Sequence, residues 1–177
     1  APRCPRHKEA QPPGEGQMTE ITGRGRRAKE LFLSGYNCAQ SVAGAYADVI
    51  GLPETLVLRL SQPFGGGMGR MREVCGTLSG ALFVVAQLYG GEDPSTDEEK
   101  RDGKARVYAV VQDIASSFRA EHGTIICREL LGIREAETDP LRPSERTSEY
   151  YRKRPCGDIC AETASILERY IASHQPV

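Results

Sequence analysis

The sequence has no long uninterrupted apolar run. Its longest stretch of that kind, Leu78 to Tyr89, is broken by Ser79, Gly80 and Gln87, whereas a membrane-spanning helix needs about 20 apolar residues. The first residues also lack the apolar core of a secretory signal. We therefore expect no membrane-spanning segment and a cytoplasmic location.

An excess of one charge is missing as well. The 23 Lys and Arg residues nearly balance the 24 Asp and Glu residues, and the two signs are interspersed along the chain. Nucleic-acid-binding domains usually carry a basic patch or stripe. The charge pattern therefore predicts no nucleic-acid partner.

Strand patterns and internal repeats are absent too. No run alternates apolar and polar residues over the length of a strand, and no segment recurs at a fixed period. Apolar residues instead recur at helical spacing. The predicted helices cover about residues 24–33, 39–50, 56–60, 75–89, 95–121, 125–131 and 159–171.

With 177 residues and 39% hydrophobic content, the chain can build one core of ordinary size. The sequence predicts an all-α, single-domain bundle of about five to seven helices over residues 18–177. Residues 1–17 are rich in Pro, Gly and charge, and we expect them to form a disordered tail or an added extension. Residues 134–155 are polar and interrupted by Pro, and we predict no helix there.

Two features of the helices can be predicted in detail. Asn37 is suited to be the N-cap of the second helix, because its side chain can accept a backbone hydrogen bond there. The long helix after residue 95 places one set of apolar residues on a common face, which we expect to point inwards: Tyr108, Val111, Ile114, Ala115 and Phe118.

A glycine-rich segment follows the third predicted helix. Four glycines in five positions cost too much backbone entropy for a helix, so we predict a loop. It lacks the Lys-Ser/Thr of a phosphate-binding loop, and no strand precedes it, which disfavours nucleotide binding. We expect its backbone N–H groups to approach a cofactor or Cys75, with Arg70 and Arg72 adding positive charge nearby. The residues are Gly65, Gly66, Gly67, Gly69 and Arg70.

The six cysteines include no Cys-x-x-Cys pair, which excludes a local thioredoxin-type or zinc-ribbon motif. Any shared site must be assembled by the fold. Cys4 falls in the predicted tail, and the other five are Cys38, Cys75, Cys127, Cys156 and Cys160.

Four of these cysteines fall at predicted helix N-termini: Cys38, Cys75, Cys127 and Cys156. Unpaired N–H groups and the helix dipole favour a thiolate there, so we expect lowered thiol pKa values. Cys160 is one turn after Cys156 and projects from the same helical face. Core filling is the ordinary role of a single buried cysteine. It does not readily explain why four cysteines all lie at predicted helix N-termini. A reducing compartment disfavours structural disulfides.

Several spaced motifs resemble the redox-active C_GCAxxG_C_C family over roughly residues 24–172. They are Ser34-Gly-Tyr-Asn-Cys38-Ala-Gln, Phe64-Gly-Gly-Gly-Met-Gly, Glu73-Val-Cys-Gly-Thr-Leu-Ser-Gly80, His122-Gly-Thr-Ile-Ile-Cys127-Arg-Glu-Leu-Leu-Gly132 and the late Cys156. The resemblance implies a small helical protein with four characteristic cysteines, and the fourth corresponds to Cys156 better than to Cys160. Thr77 replaces the alanine of the Cys-Gly-Ala-x-x-Gly motif, and we expect it to crowd a close helix approach slightly.

The same region is similar to the non-haem part of split-Soret cytochromes, which carries an iron–sulfur centre. Without a Cys-x-x-Cys-His motif, this chain would lack their covalent haems. The leading hypothesis is therefore an iron–sulfur cluster used for electron transfer. Its ligands would be Cys38, Cys75, Cys127 and Cys156, with Cys160 as a reserve.

Two alternatives stay open at this point. One is a thiol–disulfide oxidoreductase in which Cys75 or Cys38 attacks and another cysteine resolves. The other is a structural zinc site built from the same cysteines. The sequence leaves open the redox partner, the cluster type and whether two copies of the chain form a homodimer.

Overall fold

The computed structural model describes residues 20–91, 95–133 and 141–176. The predicted tail at residues 1–17, together with Cys4, lies outside these ranges. Within them the chain forms eight α-helices and a single antiparallel bridge between Val74 and Ile126. The all-α prediction is confirmed. The helices are α1 Gly23–Leu33, α2 Cys38–Gly44, α3 Glu54–Ser61, α4 Gly76–Tyr89, α5 Asp97–His122, α6 Cys127–Leu130, α7 Ser148–Lys153 and α8 Cys156–Ser173.

The segment Gly65–Met68 makes helix-like hydrogen bonds but is not counted as a helix. Gly66 and Gly67 have φ angles of 67° and 70°, in the left-handed region. Gly69 follows with φ 60°. The predicted loop is therefore confirmed as a tight glycine turn, because only glycine adopts a run of these angles at low cost.

Side-chain caps fix where two of the helices begin. Asn37 accepts a hydrogen bond from the Gln40 amide, and the Gln40 side chain accepts one from the Asn37 amide. Thr96 and Glu99 form the same reciprocal box at the start of α5. The predicted role of Asn37 is confirmed, and it sets the position of Cys38, the first residue of α2.

The helix α4 lies in the interior, as its nearly all-round apolar character indicates. It packs on α2, α5 and α8, while α1 packs on α2 and α8. Burial of one large apolar side chain contributes about 1.5–3 kcal/mol, so this interior stabilises the bundle more than helix propensity does. The largest side chains with almost no exposed surface are Tyr46, Phe32, Phe118, Leu78, Ile114 and Leu167.

Gly80 permits an unusually close crossing of α2 and α4. A Cβ atom at this position would lie 2.5 Å from the carbonyl oxygen of Ala39. The crossing brings the N-terminal ends of the two helices together, which places Cys38 near Cys75. The small residue at position 80 permits this approach, and slight crowding by Thr77 stays a prediction.

Three expectations about the elements are wrong in detail. The helix predicted over 39–50 ends at Gly44 and continues as turns. Tyr108 is 60% exposed because the first half of α5 extends past the bundle, whereas Ile114 and Phe118 are fully buried. The polar stretch predicted without a helix contains α7, which is too short to show helical periodicity. Residues 134–140 of that stretch lie outside the described ranges.

None of the helices in the described part of the chain is long and apolar enough to cross a membrane. The cytoplasmic location and the lack of a nucleic-acid partner stay predictions.

Candidate functional site

Four cysteines line one cavity at the end of the bundle where their helices begin. About 250 Å³ of space lies between the lining atoms when the open solvent at the mouth is included. Its remaining wall is almost entirely apolar. The lining residues are Cys38, Cys75, Cys127 and Cys156, with Thr77, Leu130, Leu131 and Ile159. The structure thus brings together the four cysteines singled out from the sequence, although they are far apart along the chain.

A short stretch of paired backbone joins Cys75 to Cys127. The amide of Cys75 donates to the carbonyl of Ile125 at 2.8 Å, and the amide of Cys127 donates to the carbonyl of Glu73 at 2.6 Å. These bonds flank the Val74–Ile126 bridge. Since α4 and α6 begin at the two ends of this pairing, the two thiols are held side by side.

Cys160 lies behind the cavity rather than in its wall. It is fully buried one turn into α8, and its Sγ is 4.0 Å from the carbonyl oxygen of Cys38. All five cysteines in the described residues are free thiols. The structure therefore places Cys156, not Cys160, with the other three.

Cys38 differs from the other thiols in the direction of its pKa shift. Hydrogen bonding with the Cys156 and Cys160 thiols holds the pKa of Cys38 well below the ordinary value. The Gly66 amide and the positive charge of Arg146 act in the same direction, against the effect of burial. Cys38 is thus the cysteine of the cavity whose surroundings favour the thiolate most.

The other three helix-start cysteines contradict the expectation of lowered pKa values. Burial and the nearby charge of Cys38 raise the pKa of Cys75 to about 12, although the Thr77 hydroxyl opposes this. Burial also raises the pKa of Cys127. The pKa of Cys156 rises because its thiol donates a hydrogen bond to Cys38 and because it is buried. Desolvation at Cys75 and Cys127, and the hydrogen bond to Cys38 together with desolvation at Cys156, therefore outweigh the helix dipole.

The glycine turn covers Cys38 and Cys127. The amide of Gly66 faces the sulfur of Cys38, and a Cβ atom at Gly67 would lie 2.7 Å from the Cβ of Cys127. We expected this turn to approach a cofactor or Cys75. Of the cysteines, Gly66 and Gly67 contact Cys38 and Cys127 rather than Cys75, and the approach to a cofactor stays a prediction. Gly65 instead packs against the side chain of Asn37.

The turn also contains three non-glycine residues with left-handed backbone. Met68, Arg70 and Arg72 have φ angles of 63°, 69° and 62°. Such angles cost about 1 kcal/mol or more for each non-glycine residue and recur at functional sites. Arg72 rather than Arg70 reaches a thiol: it is 8% exposed, and its Nη1 lies 3.9 Å from Cys127 Sγ.

Arg146 is a residue that the sequence analysis missed. It donates to the carbonyls of Phe32 and Tyr36 at 3.2 and 3.1 Å, and its guanidinium lies 4.7 Å from the centre of the Phe32 ring. These contacts fix the segment just before Cys38 and place a positive charge near that sulfur. No local motif marks Arg146, because its partners are more than 100 residues away.

In the described ranges, no group of three or more His, Cys, Asp and Glu side chains is arranged to hold a metal ion.

A protein-family model described as "Putative redox-active protein (C_GCAxxG_C_C)" matches residues 36–170. The match covers about three quarters of the chain and includes the four cysteines of the cavity, Cys160 and the glycine turn. No curated protein and no solved structure matches the chain. The chain belongs to the C_GCAxxG_C_C family of redox-active proteins.

Proposed function

We propose that the protein holds an iron–sulfur cluster on Cys38, Cys75, Cys127 and Cys156 and transfers electrons through it. The observation that carries the proposal is that four free thiols, each from the start of a different helix, line one apolar cavity. Four cysteine thiolates are the usual ligand set of such clusters. The redox-active description of the family agrees with this function.

A structural zinc site built from the same cysteines is the weaker alternative. Zinc binds four thiolates in a tetrahedron at about 2.3 Å from the metal, but it has no redox chemistry. The redox-active description of the family therefore favours the cluster.

The chain's own residues would provide the surroundings of the cluster. Leu130, Leu131 and Ile159 limit the access of water to the cavity. The positive charges of Arg72 and Arg146 offset the negative charge of the thiolates. When bound, the cluster would supply one-electron transfer.

Reconstitution tests this function directly. Anaerobically purified protein is supplied with iron and sulfide, and its visible absorption, iron and acid-labile sulfide are measured. We expect a coloured protein, and we expect Cys75→Ser and Cys156→Ser to lose most of the bound iron. Cys160→Ser is the matched control and keeps it. A colourless, iron-free protein would rule the function out, and tight stoichiometric zinc without colour would support the zinc alternative.

A second function is favoured by the contacts of Cys38. The thiols of Cys156 and Cys160 both hydrogen-bond with its sulfur, so the cysteine whose surroundings favour the thiolate most lies beside two candidate resolving thiols. Of the two attacking residues that the sequence allows, these contacts favour Cys38 over Cys75. Cys38 would attack a disulfide substrate and release one thiol. Cys156 or Cys160 would then displace the second thiol, leaving an intramolecular disulfide.

Mass spectrometry distinguishes this function from the first. Treatment of metal-free protein with a small disulfide would give a Cys38–Cys156 or Cys38–Cys160 disulfide that a dithiol reverses. Cys38→Ser would abolish it, whereas Cys127→Ser would not. Persistent free thiols in the wild-type protein would exclude this function.

A further inference from the structure

Two buried threonine hydroxyls extend from the sulfur of Cys75 into the core. Thr77 Oγ1 lies 3.2 Å from Cys75 Sγ, and Thr163 Oγ1 lies 3.1 Å from Thr77 Oγ1. Thr163 Oγ1 is also 2.6 Å from the carbonyl oxygen of Ile159. Neither threonine has any exposed surface. The four groups therefore form a continuous hydrogen-bonded chain.

The direction of this chain follows from the number of protons. Each hydroxyl has a single proton to donate. The Thr163 hydroxyl is the donor to Thr77 Oγ1 and shares its proton with the Ile159 carbonyl. Between Cys75 and Thr77 either atom can donate, so the S–H of a thiol can donate to Thr77 and the direction of this one bond can change.

Ligation or oxidation of Cys75 removes the sulfur's proton and reverses the requirement. The sulfur can then only accept, so the Thr77 hydroxyl has to turn towards it, and the Thr163 hydroxyl can donate to Thr77. The Ile159 carbonyl keeps the backbone N–H of Thr163, because the two residues are four apart in α8. No buried polar group loses its only partner in either direction, so the reversal costs little.

We propose that Thr77 and Thr163 form a reversible hydroxyl chain that donates a hydrogen bond to the Cys75 sulfur when that sulfur is ligated, and thereby raises the reduction potential of the centre. The effect on potential rests on the proposed iron–sulfur function. A hydrogen bond to a ligating sulfur stabilises the more negative, reduced state. Thr77 acts through the sulfur of Cys75, so it is a positioning residue.

Three variants test the chain in reconstituted protein. Thr77→Val removes the hydroxyl at nearly constant size, and we expect the reduced-to-oxidised ratio at a fixed potential to fall roughly three- to tenfold. Thr77→Ser keeps the donor and is expected to stay close to the wild type. Thr163→Val removes the hydrogen bond between Thr163 and Thr77 but leaves the Thr77 hydroxyl able to donate to the sulfur. We therefore expect a smaller fall in the reduced-to-oxidised ratio than in Thr77→Val. An unchanged potential in Thr77→Val protein with an intact cluster overturns the proposal.

A second measurement needs no metal. In reduced, metal-free protein, the infrared S–H stretching band of Cys75 is identified by its loss in Cys75→Ser. We expect Thr77→Val to move this band to the higher frequency of a thiol without an acceptor, while Thr77→Ser leaves it in place. A Cys75 band that stays unchanged in Thr77→Val overturns the chain itself. If the protein binds no cluster, the proposed function fails, but the infrared result still decides whether the hydroxyl chain exists.

Discussion

At the scale of single residues, the surroundings of each cysteine decide its ionisation more than its place in a helix does. Cys38 and Cys75 both lie at helix starts, but only Cys38 has thiol donors and the Gly66 amide around its sulfur. Cys75 is 5% exposed, and burial raises its pKa to about 12. These donors come from distant parts of the chain. Sequence position alone therefore predicted the cysteines of the cavity but not which of them has surroundings that favour the thiolate most.

Arg146 offers a test of how the segment before Cys38 is held. Arg146→Lys keeps the charge but loses the two-pronged contact with the Phe32 and Tyr36 carbonyls and the stacking on Phe32. We expect the free energy of unfolding to fall by about 1–2 kcal/mol, as measured by urea denaturation. Arg142→Lys, at an exposed position five residues from α7, is the matched control. Equal stabilities of the two variants would contradict this role.

The ion pair between Arg24 and Asp48 predicts a small dependence of stability on pH. Both oxygens of Asp48 contact the guanidinium, at 2.5 and 2.6 Å, and this hydrogen bonding holds the pKa of Asp48 below its usual value. A carboxyl with a depressed pKa stabilises the fold above its unfolded-state pKa of about 4, and the stabilisation is lost as the pH falls through the folded-state value.

Asp48→Asn removes this contribution. Because the carboxyl is 68% exposed, we expect a loss of at most about 1 kcal/mol at pH 7. The difference from the wild type should shrink as urea denaturation is repeated at pH values below about 4. A difference that stays constant with pH would show that the ion pair is not its source.

At the scale of elements, a helix with a long apolar pattern and a turn with several glycines could be predicted from the sequence. A very short helix and a backbone pairing between distant segments could not. The apolar pattern predicts α4 to within a residue, and the four glycines predict the turn at 65–69. The six-residue α7 was missed because it spans less than two turns. The pairing of residues 73–75 with 125–127 leaves no local trace, because single bridges have no repeating pattern.

The crossing of α2 and α4 can be tested through Gly80. Gly80→Ala places a methyl group against the backbone of Ala39, which cannot move aside as a flexible side chain would. We expect a loss of about 2–3 kcal/mol in the free energy of unfolding and weaker iron binding, because the two helix starts separate.

Gly103→Ala is the matched control for that variant. Gly103 also lies within a helix, but only the far end of the Arg106 side chain is within 4 Å of an added Cβ. This change should stabilise the protein by about 0.5–1 kcal/mol, as alanine does inside helices. Destabilisation of similar size in both variants would mean that helix crossing is not the cause.

At the scale of the whole molecule, the cavity depends on helices from both ends of the described chain. α1 packs on α8, and the Tyr46 hydroxyl donates to the Ala164 carbonyl at 2.6 Å. These contacts bring Cys156 to the first three thiols. The shared placement at helix starts and the family resemblance predicted that the four cysteines converge. Their separations along the sequence do not specify which helix contacts produce this convergence, so the packing of α1 on α8 could not be predicted.

A bound centre should therefore stabilise the entire bundle. We expect the midpoint of thermal unfolding of reconstituted protein to exceed that of metal-free protein by about 5–10 °C, because the ligand binds only the folded state. The measurement is made by circular dichroism under anaerobic conditions. Cys160→Ser should retain this gain and Cys156→Ser should lose it. An equal gain in both variants would count against the proposed ligand set.

The position of Cys156 at the start of α8 also bears on how the protein is made. During synthesis, Cys38, Cys75 and Cys127 leave the ribosome well before α8 can pack on α1 and close the cavity. A growing chain therefore exposes three of the thiols before α8 and Cys156 complete the cavity. Loading of the proposed centre on all four cysteines would therefore have to wait until α8 has packed on α1.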